Sequence, residues 1–346
     1  MTPVTSPVPD RGRPGVVGDL SESELLAGFV PLLSSPRTTL VGPGDDCAVL
    51  AAPDGRVAVS TDVLVEDVHF IRSWSTAREV GRRAAAQNLA DAAAVGAVPT
   101  GLVVSLVLPR DLPVAWVEDL ARGLDDVCRQ WGAGVVGGDL AGGPLVVVAV
   151  TVLGDLEGRA PVLRSGARPG DVVAHAGVRG RSAAGLALLG AGLAGDARVP
   201  DDVRAVVLDA FRSPSPPVAA GREAAIAGAT AMLDVSDGLL RDAGRIASAS
   251  GVRLALDDPA DVLADELALL APVAAALGED ATRWVLSGGE DHGLLATFPS
   301  GAVLPDGFRV VGRVDELLDD DGALVTVAGR SVPAGGGWDH FGPGKA

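Results

Sequence analysis

Lysine is almost missing from this 346-residue chain: Lys345, next to last, is the only one. That scarcity excludes a P-loop, whose Gly-x-x-x-x-Gly-Lys-Ser/Thr fingerprint needs lysine, and the protein-kinase pattern with its strand lysine. A chain so composed can handle nucleotide phosphates only through metal ions, arginine and backbone N–H groups. Cysteine is scarce too. Cys47 and Cys128 lie far apart without Cys/His ligand spacing, which argues against zinc and against a disulfide framework, and both read as small buried hydrophobes. No apolar run reaches the ~18 residues of a membrane span. Residues 1–19 are rich in Pro, Gly and Arg but lack the apolar core of a signal peptide, so they read as a disordered lead. A cytoplasmic location follows. Positive charge is in short supply overall: a net charge of −17 disfavours a nucleic-acid surface.

What is present is acid in unusual places. Gly44-Asp45-Asp46, Ser60-Thr61-Asp62, Gly137-Gly138-Asp139 and Asp234-Val235-Ser236-Asp237 each interrupt or follow an apolar stretch. Desolvated carboxylates are costly unless a cation or hydrogen-bond donors meet them, so the pattern suggests a shared polyvalent-cation site. Each segment has a plainer reading as well. Asp45-Asp46 suits a solvated turn, Ser60-Thr61-Asp62 a turn or helix cap, and Asp234 to Gly238 an N-cap for the following helix. Ser287-Gly288-Gly289-Glu290-Asp291 reads as a flexible acidic loop, either a substrate edge or a turn. His69, close to the second motif, is the best histidine candidate, although a lone histidine more often satisfies a local hydrogen bond. The two Gly-x-Gly-x-x-Gly matches, starting at Gly132 and Gly190, do not link a strand to a helix as a dinucleotide site requires.

With 48% hydrophobic residues the chain can bury a large core, and its length favours two domains. Ser21 to Glu24 predicts a capping box opening the first helix. Cys47–Ala51 and Arg56–Ser60 flank Pro53-Asp54-Gly55 and predict a hairpin that delivers Thr61 and Asp62. A helix over about 76–95 carries Asn88 and Asp91 on one face. Strands over 101–108, 134–136 and 145–153 and a helix over 114–131 complete an alternating half, with Asp139 just past a strand end. The polar stretch 164–170 marks a boundary. Beyond it come strands over 171–174, 231–233, 253–256, 294–298 and 308–314 and helices over 239–250 and 264–277.

Taken in order, Gly44-Asp45-Asp46, Ser60-Thr61-Asp62 with His69-Phe70, Asn88-Leu89-Ala90-Asp91, Gly137-Gly138-Asp139, Arg164-Ser165-Gly166, Asp234 to Gly238 and Ser287 to Asp291 resemble the thiamine-monophosphate kinase family. The similarity runs from about Gly18 to Phe341. It implies a two-domain α/β (α+β) protein of the aminoimidazole ribonucleotide synthetase-like fold, with mixed sheets and flanking helices. On that pattern residues 20–158 form an ATP- and Mg-binding, dimerising domain and 159–346 a C-terminal α/β domain, in a homodimer without nucleic-acid or membrane partners. The implied reaction is transfer of the ATP γ-phosphoryl group to thiamine monophosphate with several Mg²⁺ ions. By the same resemblance Asp46, Ser60, Thr61, Asp62, Asp91, Asp139, Asp234 and Asp237 are metal residues. Gly138, Asp139, Arg164 and Ser236 are ATP contacts, and His69, Glu290 and Trp338 are substrate contacts, with no side chain as general base. The alternatives are another ATP-dependent synthetase of the superfamily or a noncatalytic metal- or nucleotide-binding regulator.

This chain departs from the family's habits at several points. Leu140-Ala141 stand where threonines commonly follow Gly-Gly-Asp, and His292-Gly293 where Tyr-Glu usually follows Glu-Asp.

Overall fold

The computed structural model describes residues 15–43, 47–317, 322–332 and 337. Helix α1 (Glu22–Phe29) begins at the predicted capping box, in which Ser21 and Glu24 bond each other's backbone N–H. The short strands β1 (Thr39–Val41) and β2 (Val49–Leu50) pair with one another. This corrects the expected hairpin: β2 turns back to β1, and β3 (Ala58–Val65) pairs instead with a distant strand. The turn at Pro53 is real, but it joins strands of different sheets. The lead expected over 1–19 also needs trimming, because Val17–Asp19 form a 3-10 turn whose Gly18 packs on Arg110.

Helix α2 (Ala77–Ala94) opens on a second capping box, between Thr76 and Glu79. Next come β4 (Val98–Leu108), α3 (Val114–Cys128), β5 (Val135–Gly142) and β6 (Val147–Asp155). The four-stranded sheet runs β3-β6-β4-β5, antiparallel except for β4 with β5. Alternation decides its faces. Val148, Val150 and Val152 of β6 are buried towards α2, whereas Val59 and Val63 of β3 are exposed on the other side. Strand β5 runs further than expected, so Asp139 lies inside a strand. Cys128 is buried as predicted, but Cys47 is exposed.

The second half contains β7 (Val172–Ala176), α4 (Arg181–Gly190), α5 (Asp201–Arg212), α6 (Val218–Ile226), β8 (Ala231–Val235), α7 (Leu239–Ser250) and β9 (Val252–Leu256). It continues with α8 (Pro259–Val262), α9 (Ala264–Leu277), α10 (Ala281–Ser287), β10 (Gly293–Phe298), β11 (Phe308–Glu316), β12 (Val325–Val327) and β13 (Arg330–Ser331). Seven of these strands form one sheet, ordered β13-β12-β9-β11-β7-β10-β8, with β8 at the edge.

One apolar core joins Val148 and Val150 of the first sheet, Ala85 and Leu89 of α2, and Ala174, Met232 and Phe298 of the second sheet. Helix α2 is therefore enclosed by both sheets, which explains its alanine content: a helix buried on nearly all sides needs small residues. Its crossing with α3 is closer still. A Cβ at Gly81 would stand 2.1 Å from the Leu120 carbonyl, and one at Gly123 would stand 2.1 Å from the Arg78 carbonyl. The same crossing is tied by Asp126 of α3, which accepts from Arg78 Nε at 2.7 Å and Arg82 Nη2 at 2.8 Å.

Candidate active site

Strand alternation separates the residues of the second motif. Ser60 and Asp62 point to the α2 side of the first sheet, and Thr61 points to the other. Ser60 Oγ donates to Asp91 Oδ2 at 2.7 Å, while Gln87 Nε2 donates to Asp62 Oδ2 at 3.2 Å. One turn further back, Arg83 Nη2 donates to Glu290 Oε2 at 2.6 Å. Residues 83, 87 and 91 are four apart, so a single stripe of α2 reaches β3 and the Glu290 loop. Asn88 does not share that stripe: it is fully buried and its amide bonds the Ala84 carbonyl.

A cavity of about 820 Å³ opens beside this stripe, lined among others by Ser60, Asp91, Arg164, Ser165, Met232 and Asp234. Asp234 is buried on edge strand β8, and His292 Nδ1 lies 3.3 Å from its Oδ2. The other ring nitrogen of His292 lies 3.8 Å from Glu290 Oε2. Burial alone would lower the imidazole pKa, but these two carboxylates outweigh it and lift the pKa to about 10. Glu290 shifts the opposite way: burial raises it, yet Arg83 and His292 hold it well below the usual carboxylate range. Asp91 is pushed up to about 7, by burial first and then by Asp234 and Asp62. Asp62 is raised by burial and by Asp234 and Glu290.

The Ser287–Asp291 loop is anchored where a flexible loop was expected. Asp291 accepts from the backbone N–H groups of Gly180 at 2.5 Å and Ser182 at 2.8 Å, and buried Arg179 donates to the Gly288 carbonyl at 2.7 Å. Glu290 N–H donates to the Ser236 carbonyl at 2.8 Å, which joins this loop to the Asp234–Gly238 turn. Only glycine fits two of the contacts: a Cβ at Gly289 would meet the Ser236 carbonyl at 2.4 Å, and one at Gly238 the Ser287 carbonyl at 2.7 Å. Glu290 and His292 both adopt left-handed backbone, with φ of 70° and 52°. Such strain persists only where surrounding bonds fix it, and it turns both side chains to the same side.

The remaining candidates are distributed unevenly. Register places Asp139 beside Ser105 and Thr61 beside Thr151, so Asp139 and Thr61 share the exposed sheet face, away from Ser60 and Asp62. Gly138 faces the neighbouring strand so closely that a Cβ would stand 1.9 Å from the Val104 carbonyl. Asp237 is held by Arg245 Nη2 at 2.5 Å, beside buried Asp242, whose pKa burial lifts to about 6. His69 Nδ1 accepts from Val65 N–H at 3.0 Å. Asp46 and Trp338 lie outside the described residues. Arg83, Gln87, Arg179, Asp291 and His292 were missed as site residues. The four-residue spacing of 83, 87 and 91 in an alanine-rich helix was the signal for the first two.

Among the described residues, no three acidic, His or Cys side chains are already gathered closely enough to bind one metal ion. The donor set still suits a hard cation: Ser60, Asp91 and Asp234 line the cavity, Ser60 bonds Asp91, and burial first, then neighbouring carboxylates, raise Asp62 and Asp91. No helix among the described residues is long and apolar enough to cross a membrane.

Two sheets that enclose a central helix and bring carboxylates to one cleft define the AIR-synthase-related fold. Residues 44–156 match the model of the AIR synthase related protein, N-terminal domain. The chain is 48% identical to thiamine-monophosphate kinase of Mycobacterium tuberculosis, over 93% of this chain and 92% of that protein. It is 42% identical to the Corynebacterium glutamicum enzyme of the same name, over 96% and 97%. The structure of AaThiL complexed with AMPPCP and TMP is 32% identical, with a TM-score of 0.73 over 86% of this chain and 91% of that one. Hydrogenase maturation protein HypE of E. coli, at 19% identity and a TM-score of 0.69 over 93% and 98%, shares the fold. The chain belongs to the thiamine-monophosphate kinase family.

Proposed function

We propose that this protein transfers the γ-phosphoryl group of ATP to thiamine monophosphate, yielding thiamine diphosphate and ADP as the last step of thiamine diphosphate synthesis. The observation that carries the reading is that Ser60, Asp91 and Asp234 line one cleft, with Asp62 beside it and electrostatically coupled to Asp234, in a chain of this family. The structure of AaThiL with an ATP analogue and TMP supports the choice of both substrates.

The acceptor makes light demands. A phosphate monoester has a second pKa near ~6 and is largely dianionic at neutral pH, so no side chain need act as base. The difficulty is bringing two anions into line. Ser60, Asp62, Asp91 and Asp234 would hold Mg²⁺ in the cleft, with Asp46, Thr61, Asp139 and Asp237 as further ligands from the family pattern. Bound there, Mg²⁺ would offset the repulsion between the two phosphate groups. Arg164, exposed at the cavity rim, and the Gly138 and Ser236 segments would contact ATP. His69, Glu290 and Trp338 would contact thiamine monophosphate.

Residues 20–158 and 159–346 are read as the two domains, consistent with one sheet ending at Asp155 and the next starting at Val172. A homodimer paired through the first sheet is supported by its exposed face, where Val59 is 67% and Val63 45% accessible. Cytoplasmic location completes the reading. Incubation of purified protein with Mg-ATP and thiamine monophosphate tests it: thiamine diphosphate and stoichiometric ADP are expected. ADP with inorganic phosphate would instead mean hydrolysis or a different acceptor.

A further inference from the structure

Arg83 takes no part in the scheme above, yet its guanidinium is among the most constrained groups beside the cleft. The residue is 3% exposed. Its Nη1 donates to the Phe211 carbonyl at 3.1 Å, near the C-terminus of α5, and its Cζ sits 5.1 Å from the centre of the Phe211 ring. That ring is in turn braced edge-on by Trp74, with ring centres 6.5 Å apart. The remaining arm, Nη2, donates to Glu290 Oε2 at 2.6 Å.

The pair is asymmetric. Arg83 is fixed by α2, a backbone carbonyl and an aromatic face, whereas the Glu290 side chain is 35% exposed. A buried guanidinium left without its carboxylate would be costly, so the pair persists and the fixed partner dictates where the exposed one stands. Left-handed backbone at Glu290 supports the same orientation from the other end.

We propose that Arg83 is a positioning residue of the substrate site: it holds the Glu290 carboxylate in one orientation, facing the cationic portion of thiamine monophosphate. The proposal rests on the reading of Glu290 as a substrate contact. Arg83 itself touches no substrate, so its removal should alter acceptor binding and leave nucleotide binding alone.

A double-mutant cycle of Arg83→Gln, Glu290→Gln and the pair tests it, with KM for thiamine monophosphate, KM for ATP and kcat measured separately. Each single variant should raise KM for thiamine monophosphate about tenfold and change KM for ATP less than about twofold. The double variant should match Glu290→Gln, because Arg83 acts only through that carboxylate. Arg83→Lys keeps the charge and loses the bond to the Phe211 carbonyl, so it should fall between wild type and Arg83→Gln. If Arg83→Gln does not fold, the cycle is run with Arg83→Lys. A raised KM in Glu290→Gln beside a wild-type KM in the Arg83 variant overturns the positioning role alone, as do additive effects. An unchanged KM in Glu290→Gln overturns the substrate role of Glu290 and this proposal with it.

Discussion

Ser60 Oγ donates to Asp91 Oδ2 at 2.7 Å, tying the outermost strand of the first sheet to the helix enclosed between the two sheets. The bond fixes the orientation of a carboxylate that burial and neighbouring acids make expensive to ionise.

Asp91→Asn should therefore abolish Mg²⁺-dependent turnover while stabilising the metal-free protein. The Asp91 pKa is raised to about 7 in the fold, above its unfolded value near ~3.9. Its ionisation costs stability progressively as pH rises between those values, and the cost is complete above pH ~7. Thermal melts in chelator at pH 8 should give the variant a higher Tm than wild type; a lower Tm would contradict the cause assigned to the shift.

Acid titration should separate the Asp126 tie from the rest of the fold. Arg78 and Arg82 overcome a smaller desolvation effect and lower this carboxyl to about 2. A depressed carboxylate stabilises the fold above its unfolded pKa of ~3.9 and loses that contribution as pH falls towards 2. Asp126→Asn should be less stable than wild type at pH 7, and the two denaturation midpoints should converge between pH ~4 and ~2.

Gly123→Ala forces a methyl group to within 2.1 Å of the Arg78 carbonyl at the α2–α3 crossing. Neither backbone can yield without separating the helices, so a loss of about 3 kcal/mol is expected in urea unfolding. Alanine at exposed Gly190, which has open space around its Cβ position, is the matched control and should be neutral or slightly stabilising.

Asp139→Asn should remove turnover with Tm unchanged, since the Asp139 side chain is exposed on its strand and makes no hydrogen bond among the described residues. His69→Gln should weaken thiamine monophosphate binding while preserving kcat within about tenfold, as befits a contact residue and not a base. A kcat loss of several orders of magnitude would make His69 catalytic.

Local rules made much of the chain legible. Capping at Ser21 and the helices over 239–250 and 264–277 follow from residues adjacent in sequence, and the structure places both helices within those limits. Pairing partners did not follow, because β2 and β3 flank a good turn, yet β2 turns back to β1 before it and β3 is claimed by β6, which sequence proximity does not reveal. The acids were visible as anomalies in apolar stretches. Their electrostatic partners were less so: Arg83 and Gln87 repeat at the helical spacing of Asp91, but only burial between two sheets aims them at Glu290 and Asp62. His292 registered as a departure from family habit, but its bridge between Asp234 and Glu290 depends on left-handed backbone that no motif announces.

The enclosure of α2 by both sheets has a mechanical consequence. A helix whose apolar residues are shared by two layers, and whose polar stripe is bonded to each, acts as a fixed axle. Swinging the layers apart would strip that axle of its packing on one side. Separating the two layers therefore costs buried apolar contact on α2 as well as the bonds of its polar stripe.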